Sequence, residues 1–206
     1  DARVNNPAHA RIANHSPLNA GIDGESGDLL DKQALDRYIH WLNRHPGRRV
    51  DVSISPGVDP GTAVLDYMVA ENKPWTVYGQ VSNTGTEGTS DWRYRFGVVH
   101  NQLTGNDDII SLDYSTAGFD ETHSIVAAYE APFFDVDRLR WRIQGLWSRY
   151  SSSDVGLPPE TFTGETWGIG ADLISNIFQR DELFVDVVGG VRYENVEAEN
   201  KLILTE

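Results

Sequence analysis

From Pro74 onward the chain alternates apolar and polar residues in about seven segments, each near the roughly 9–11 residues that a tilted strand needs to cross a bilayer. Strands are expected at 75–83, 92–101, 109–116, 123–131, 139–150, 163–173 and 183–193, joined as a meander. Successive strand residues point to opposite faces, so alternation sorts side chains into two environments. In the second segment Trp92, Tyr94, Phe96 and Val98 share one face, and Arg93, Arg95 and Gly97 the other. The fifth repeats this, with Leu139, Trp141, Ile143 and Trp147 against Arg138, Arg140, Arg142, Gln144 and Ser148. The third sets Ile110, Leu112 and Tyr114 against Ser111, Asp113 and Ser115.

A soluble sandwich also alternates, with its aromatics in the core and its arginines on the surface, so period two alone leaves both architectures open. Two features favour a membrane barrel. Trp75, Trp92, Tyr114, Tyr129, Trp147 and Tyr193 lie near segment ends, where interfacial girdles belong. The connections also alternate: 84–91 and 151–162 are long and polar, whereas 105–108 and the region around Gln179-Arg180-Asp181 are short. Membrane barrels pair long external loops with short periplasmic turns in this way. Connections at 118–121 and 194–200 would be the other outer ones. The expected lipid-facing girdle is Trp75, Trp92, Tyr94, Phe96, Trp141, Trp147 and Tyr193. The expected lumen-facing set is Arg93, Arg95, Asp113, Glu130, Arg140 and Arg142, with the arginines paired to inward acids because unpaired charge in a confined lumen is costly.

No run approaches the ~20 apolar residues of a membrane-spanning helix, an absence that leaves barrel strands open. A formal charge of -14 disfavours a nucleic-acid partner, which requires clustered Lys and Arg. Cysteine is absent, which removes disulfide frameworks and thiolate chemistry. His9, His15, His40 and His45 show no metal-ligand spacing, and His123 beside Ser124 is a sequence neighbour rather than a triad. No enzyme, metal or cofactor is expected.

The N-terminal part reads differently. Residues 1–28 show little periodicity and are expected to be irregular or the start of a small module. Asp31 can cap a helix that places Leu35, Tyr38, Ile39 and Leu42 on one face and stops at His45-Pro46-Gly47. A strand with Val50, Val52 and Ile54 alternating, a Pro-Gly turn at 56–61 and a second strand at 62–71 complete the unit. The expected organisation is thus 1–28, a small α/β module at 29–73, and barrel strands at 74–206. The fold class is mainly β: a partial antiparallel transmembrane barrel preceded by that module.

Several motifs fall in order. "LDRYIHWLNRHPGRRVDVSISPGVDPGTAVLDYMV" resembles the last POTRA module of the two-partner secretion transporters, the haemolysin secretion/activation family of outer-membrane proteins. "VSNTG", with Asn83 and Gly85, resembles that family's first barrel strand running into its turn, although Ser82 stands where the family commonly has Asp. "NQLTGNDD", with Gly105 and Asp107, is similar to its Asn-x-x-x-Gly-x-Asp periplasmic turn, and "YEAPF", with Tyr129 and Pro132, to its Tyr-x-x-Pro.

The resemblance implies passage of a partner protein, as an extended polypeptide, from periplasm to cell surface through an outer-membrane barrel, with the module in the periplasm. Outer-membrane lipid would be the other partner. It also implies capture of the substrate by β-augmentation at the strand carrying Val50, Val52 and Ile54, whose side chains read better as the core face under the helix. A larger barrel than seven strands is implied, so the chain is expected to be a piece of a longer protein. Two other readings stay open: a related barrel that assembles or inserts other proteins, and a soluble β-barrel or sandwich binding domain.

Overall fold

The structure, a computed structural model, describes residues 2–17, 30–85, 90–119, 121–134, 136–152 and 160–202. Its first unit is a small α/β module. Helix α2 (Lys32–Leu42) starts where the Asp31 carboxylate accepts the Gln33 N–H at 2.8 Å, satisfying one of the helix's orphan donors. Leu35 and Leu42 are buried, and Tyr38 and Ile39 pack beside them. The chain then turns through Gly47, whose φ of +76° favours glycine, into β2 (Arg48–Pro56). A tight connection closed by the Gly57 N–H on the Thr62 carbonyl leads to the antiparallel strand β3 (Ala63–Glu71).

Residues 2–17, expected to be irregular or the module's start, supply β1 (Ala2–Val4) and the short helix α1 (Ala10–Asn14). β1 lies parallel to β3, giving the order β1-β3-β2. A three-residue strand and a five-residue helix are too short to carry a hydrophobic period, which explains why alternation does not reveal them. Ile12, Leu35, Leu42, Val50, Leu65 and Tyr67 form the module's core. Tyr67 is fully buried, its hydroxyl 2.9 Å from Ser16 Oγ, and burial pushes its phenol above the ordinary range.

The second unit is one antiparallel sheet in the order β10-β9-β8-β7-β6-β5-β4, a strict meander. Its strands are β4 (Trp75–Ser82), β5 (Arg93–Asn101), β6 (Ile109–Ala117), β7 (Thr122–Phe133), β8 (Val136–Ser152), β9 (Glu160–Arg180) and β10 (Leu183–Leu202). The last three run well past their expected ends. Residues 194–200, expected as an outer connection, are strand and pair with 162–168 of β9. Acidic side chains on both faces there erase the alternation, yet the backbone ladder continues.

Leu35 is the most buried residue of α2, at 2% exposure. Leu35→Ala is expected to destabilise the module by about 3 kcal/mol. Amide exchange at Leu65 and Tyr67 should accelerate while β5–β8 amides keep their rates, and unchanged rates at Leu65 and Tyr67 would refute this core assignment.

Candidate functional site

Strand register decides which residues share a face. Phe96, Tyr114, Ile125, Trp147 and Trp167 form one continuous row across β5–β9. Val77, Val98, Leu112, Ala127, Gly145, Ile169 and Tyr193 form the next, followed by Trp75, His100, Ile110, Tyr129, Ile143, Ala171 and Val191. Trp141 lies one row further, opposite Ala131 and Leu173. Tyr94 occupies the row on the other side of Phe96, with Thr116, His123, Arg149, Glu165 and Glu197. Trp92 sits just before β5 and is exposed.

This apolar face is uncovered: Val77 is 76% exposed, Tyr193 59% and Trp167 44%. In a soluble sandwich these side chains would be core beneath a second sheet. A contiguous apolar surface across seven strands marks contact with another apolar medium.

The opposite face carries two ionic clusters. Arg95 Nε donates to Asp113 Oδ1 at 2.8 Å, and the Tyr78 hydroxyl donates to the same oxygen. Tyr78 reaches it by lying over Gly97, where an added Cβ would strike its ring. Further along, Glu130 accepts from Arg140 Nε at 2.6 Å and from Arg142 Nε at 3.1 Å. Arg93 stands in another row of this face, opposite Ser82 and Ala117.

The turn between β5 and β6 is an internally bonded cage. Gly105 has φ +79° and Asp107 φ +58°, and buried Asp108 accepts from the Thr104 N–H at 2.9 Å and from its hydroxyl at 3.0 Å. The Tyr129 side chain lies near Thr104 and Asp108, so the two motifs that carry Gly105 and Tyr129 meet in space. Pro132 lies at a register shift in β7, where a missing N–H costs no ladder bond. Asn83 is exposed beyond β4, and Gly85 donates its N–H to the Asp91 carbonyl at 3.0 Å.

Three hairpin turns at this end of the sheet touch the module. Arg48, whose side chain is only 3% exposed, pairs with Asp107 and donates to the Leu42 carbonyl at the end of α2 at 2.8 Å. Arg11 donates to the Phe134 carbonyl between β7 and β8 at 2.9 Å. Arg44 pairs with Asp186 while lying over the Trp41 and Phe184 rings, and Gln179 donates to the Arg37 carbonyl at 2.8 Å. Burial opposes ionisation of Asp107, but Arg48 outweighs it and holds the carboxyl below its ordinary range. Burial pulls His45, at the same junction, down to about 4. Around these residues lies a cavity of about 410 Å³, lined also by His9, Asn106, Glu130 and Arg140.

Within the module Val50 is fully buried and Val52 packs against the core, so their side chains are structural rather than substrate-facing; Ile54 is 55% exposed. Alternation identifies neither Arg11, Arg44, Arg48 and Asp186 nor the Tyr78 contact. These partners lie 35–142 residues apart, and only the assembled register brings them together.

Residues 61–183 match the family model "Haemolysin secretion/activation protein ShlB/FhaC/HecB". The outer membrane transporter CdiB-2 of Burkholderia pseudomallei is 26% identical over 89 residues, 43% of this chain and 15% of that protein. The heme/hemopexin transporter protein HuxB of Haemophilus influenzae is 27% identical over 115 residues, 52% of this chain and 20% of that protein. The chain therefore spans a fifth or less of these curated relatives. Among solved structures, CdiB from Escherichia coli superposes with a TM-score of 0.72 at 18% identity, over 97% of this chain and 37% of that one. BamA from Haemophilus ducreyi gives 0.55 at 14% identity, over 97% and 35%, a likeness of fold alone. The N-terminal module and the meander are therefore a POTRA-like module and part of a transmembrane β-barrel. With more than half of its length matched, the chain belongs to the haemolysin secretion/activation ShlB/FhaC/HecB family of outer-membrane transporters.

Proposed function

We propose that this protein conducts a partner protein, as an extended polypeptide, from the periplasm to the cell surface. The observation that supports this most is the two-faced register: one face dominated by apolar side chains, the other carrying Arg95–Asp113 and Arg140–Glu130–Arg142. The first face is read as lipid-facing. Trp75 and Trp141 stand toward one border and Phe96, Trp147 and Trp167 toward the other, where Trp147 Nε1 donates to Glu165 at 2.9 Å and a polar row begins. The second face is read as lining a hydrated lumen, in which paired charges keep the wall polar without leaving an ion uncompensated.

The module lies at the end with the short turns, which in outer-membrane barrels is the periplasmic end. It presents the open edge of β2 beneath the wall, so an extended substrate can add a strand there. Each backbone bond contributes only about 0.5–1.5 kcal/mol net, which suits cargo that is held briefly and released. Deleting the coding sequence is expected to remove one polypeptide from the medium or cell surface and leave it in the periplasm. An unchanged surface and medium would sink the reading.

Arg95→Leu leaves Asp113 without its cation, and Arg142→Leu leaves Glu130 with one arginine. Each variant should insert normally yet shift the reversal potential in planar bilayers toward cation selectivity. Unaltered selectivity in both counts against a lumenal position.

Both titrations at the junction act in one direction. The Asp107 carboxyl is held low, so its contribution is present above the ordinary carboxylate value of 3.8 and is lost as pH falls through its folded value. His45 is buried neutral, so its contribution is full above 6.5 and declines as pH drops toward about 4. Spin labels at Val58 and Glu182 should therefore give a narrow distance distribution at pH 7.5 that broadens as pH drops to about 4 and below. Asp107→Asn should broaden it already at pH 7.5, because buried Arg48 loses its counter-ion. A narrow distribution in the variant would show that the ion pair does not hold the module.

A further inference from the structure

β2 pairs only with β3, so its other side is an edge of the module's sheet. At Val50 that edge is occupied. The Val50 N–H donates to Asn43 Oδ1 at 2.6 Å, and Asn43 Nδ2 donates back to the Val50 carbonyl at 3.1 Å. A residue that turns both groups outward gives neither to its partner strand, so Val50 and Val69 are a non-hydrogen-bonded pair of the ladder. The β2–β3 register is unbroken from Arg48↔Glu71 to Pro56↔Ala63, so Val52 and Ile54 also turn their N–H and C=O outward. These groups meet no partner among the described residues. Pro56, next in the series, has no N–H to offer.

The far side of the same row repeats the device. Asn5, just past β1, donates Nδ2 to the Val69 carbonyl at 3.2 Å and accepts the Val69 N–H at 3.0 Å. A carboxamide holds a donor and an acceptor much as a peptide unit does, so each asparagine stands in for a neighbouring strand. Asn5 extends β1, which is present; Asn43 fills the place of a strand that is not.

We propose that Asn43 is a positioning residue that sets where a captured polypeptide begins to pair. Its carboxamide occupies the place opposite Val50, so an added strand pairs with Val52 and Ile54 alone. Pro56 limits it at the other end. The residue directly opposite Ile54 projects on the same face and meets its exposed surface, so the edge selects an extended segment with an apolar side chain there. This inference rests on the capture of substrate at β2 proposed above.

The test uses the protein in micelles and a synthetic decapeptide of alternating valine and threonine, with amide exchange read residue by residue. In the unmodified protein the peptide should slow exchange at Val52 and Ile54. In Asn43→Ala the free protein should exchange Val50 about tenfold faster or more, and the peptide should then protect Val50 as well and bind about tenfold tighter through the added pair of bonds. Amides of β3 with unchanged rates certify the fold. Asn43→Asp keeps the acceptor for Val50 N–H but no donor, and should show a slow Val50 amide with no gain in affinity.

Equal affinity in the unmodified protein and Asn43→Ala, with Val52 and Ile54 protected in both, overturns the role of Asn43 and leaves capture at β2 standing. Val52 and Ile54 amides unaffected by the peptide in either protein, or already slow without it, overturn capture at this edge and the inference with it.

Discussion

A backbone that crosses hydrocarbon must pair every N–H and C=O with itself, because no water is available to take an unmade bond. In this chain the antiparallel ladder meets that demand on both sides of β5 to β9, and the side-chain pattern is subordinate to it. Slipping one strand by one residue would carry its whole apolar set to the other face, so each row is specified by all the strands that contribute to it. Both register shifts, at Pro132/Phe133 and Val185/Asp186, lie at the short-turn end, and the rows between Phe96 and His100 are continuous. Bulges re-aim side chains where a ladder can tolerate them. Here Asp186, beside one shift, receives Arg44. Arg140, opposite Pro132 at the other, reaches both Glu130 and the Asp107 carbonyl.

The irregular end of the sheet is thus the end that receives the module. Arg48 has the central position: it opens β2, bonds the last carbonyl of α2, and pairs with Asp107 in the first of the three turns. Gln102 ties the same carboxylate to Glu71 at the end of β3, and His9 lies 3.3 Å from Glu71. One buried cation therefore orients a helix end, a strand start and a hairpin turn together. Arg11 and Arg44 fix the other two turns, which removes rotation about the Arg48 contact. Docking of this kind joins two cores without merging them, since it relies on ion pairs and ring stacking more than on buried aliphatic surface.

The parts of this arrangement that were legible in the sequence are those encoded locally. Alternation at Trp92–Tyr94–Phe96 against Arg93–Arg95 gives the faces directly, and the Asp31 cap with Leu35, Tyr38, Ile39 and Leu42 gives α2. Turn chemistry around Gly105 and Asp107 is local as well. The rest depends on distant partners. Tyr78 meets Asp113 only because β4 and β6 flank β5, and Arg44 meets Asp186 only after 142 residues have been laid down. The ends of β9 and β10 were illegible for another reason. Glu197 and Glu199 lie beyond the apolar rows, where neither face needs hydrocarbon-compatible side chains and pairing proceeds without a hydrophobic period.

The module faces the opposite demand from the barrel strands. A sheet edge left open invites pairing with any extended chain, and proteins blunt such edges with short strands, charges or proline. A module proposed to take up extended cargo cannot blunt its edge completely. Its β2 does so in part: Asn43 closes the start, Pro56 removes a donor at the end, and Arg49, Asp51 and Ser53 keep the opposite face polar. Two residues with outward backbone groups remain between those limits. Two N–H and two C=O groups contribute on the order of 2–6 kcal/mol before ordering costs are subtracted. An edge of that length favours pairing that is brief, in one register and reversible, which suits the proposed passage of a polypeptide through a lumen.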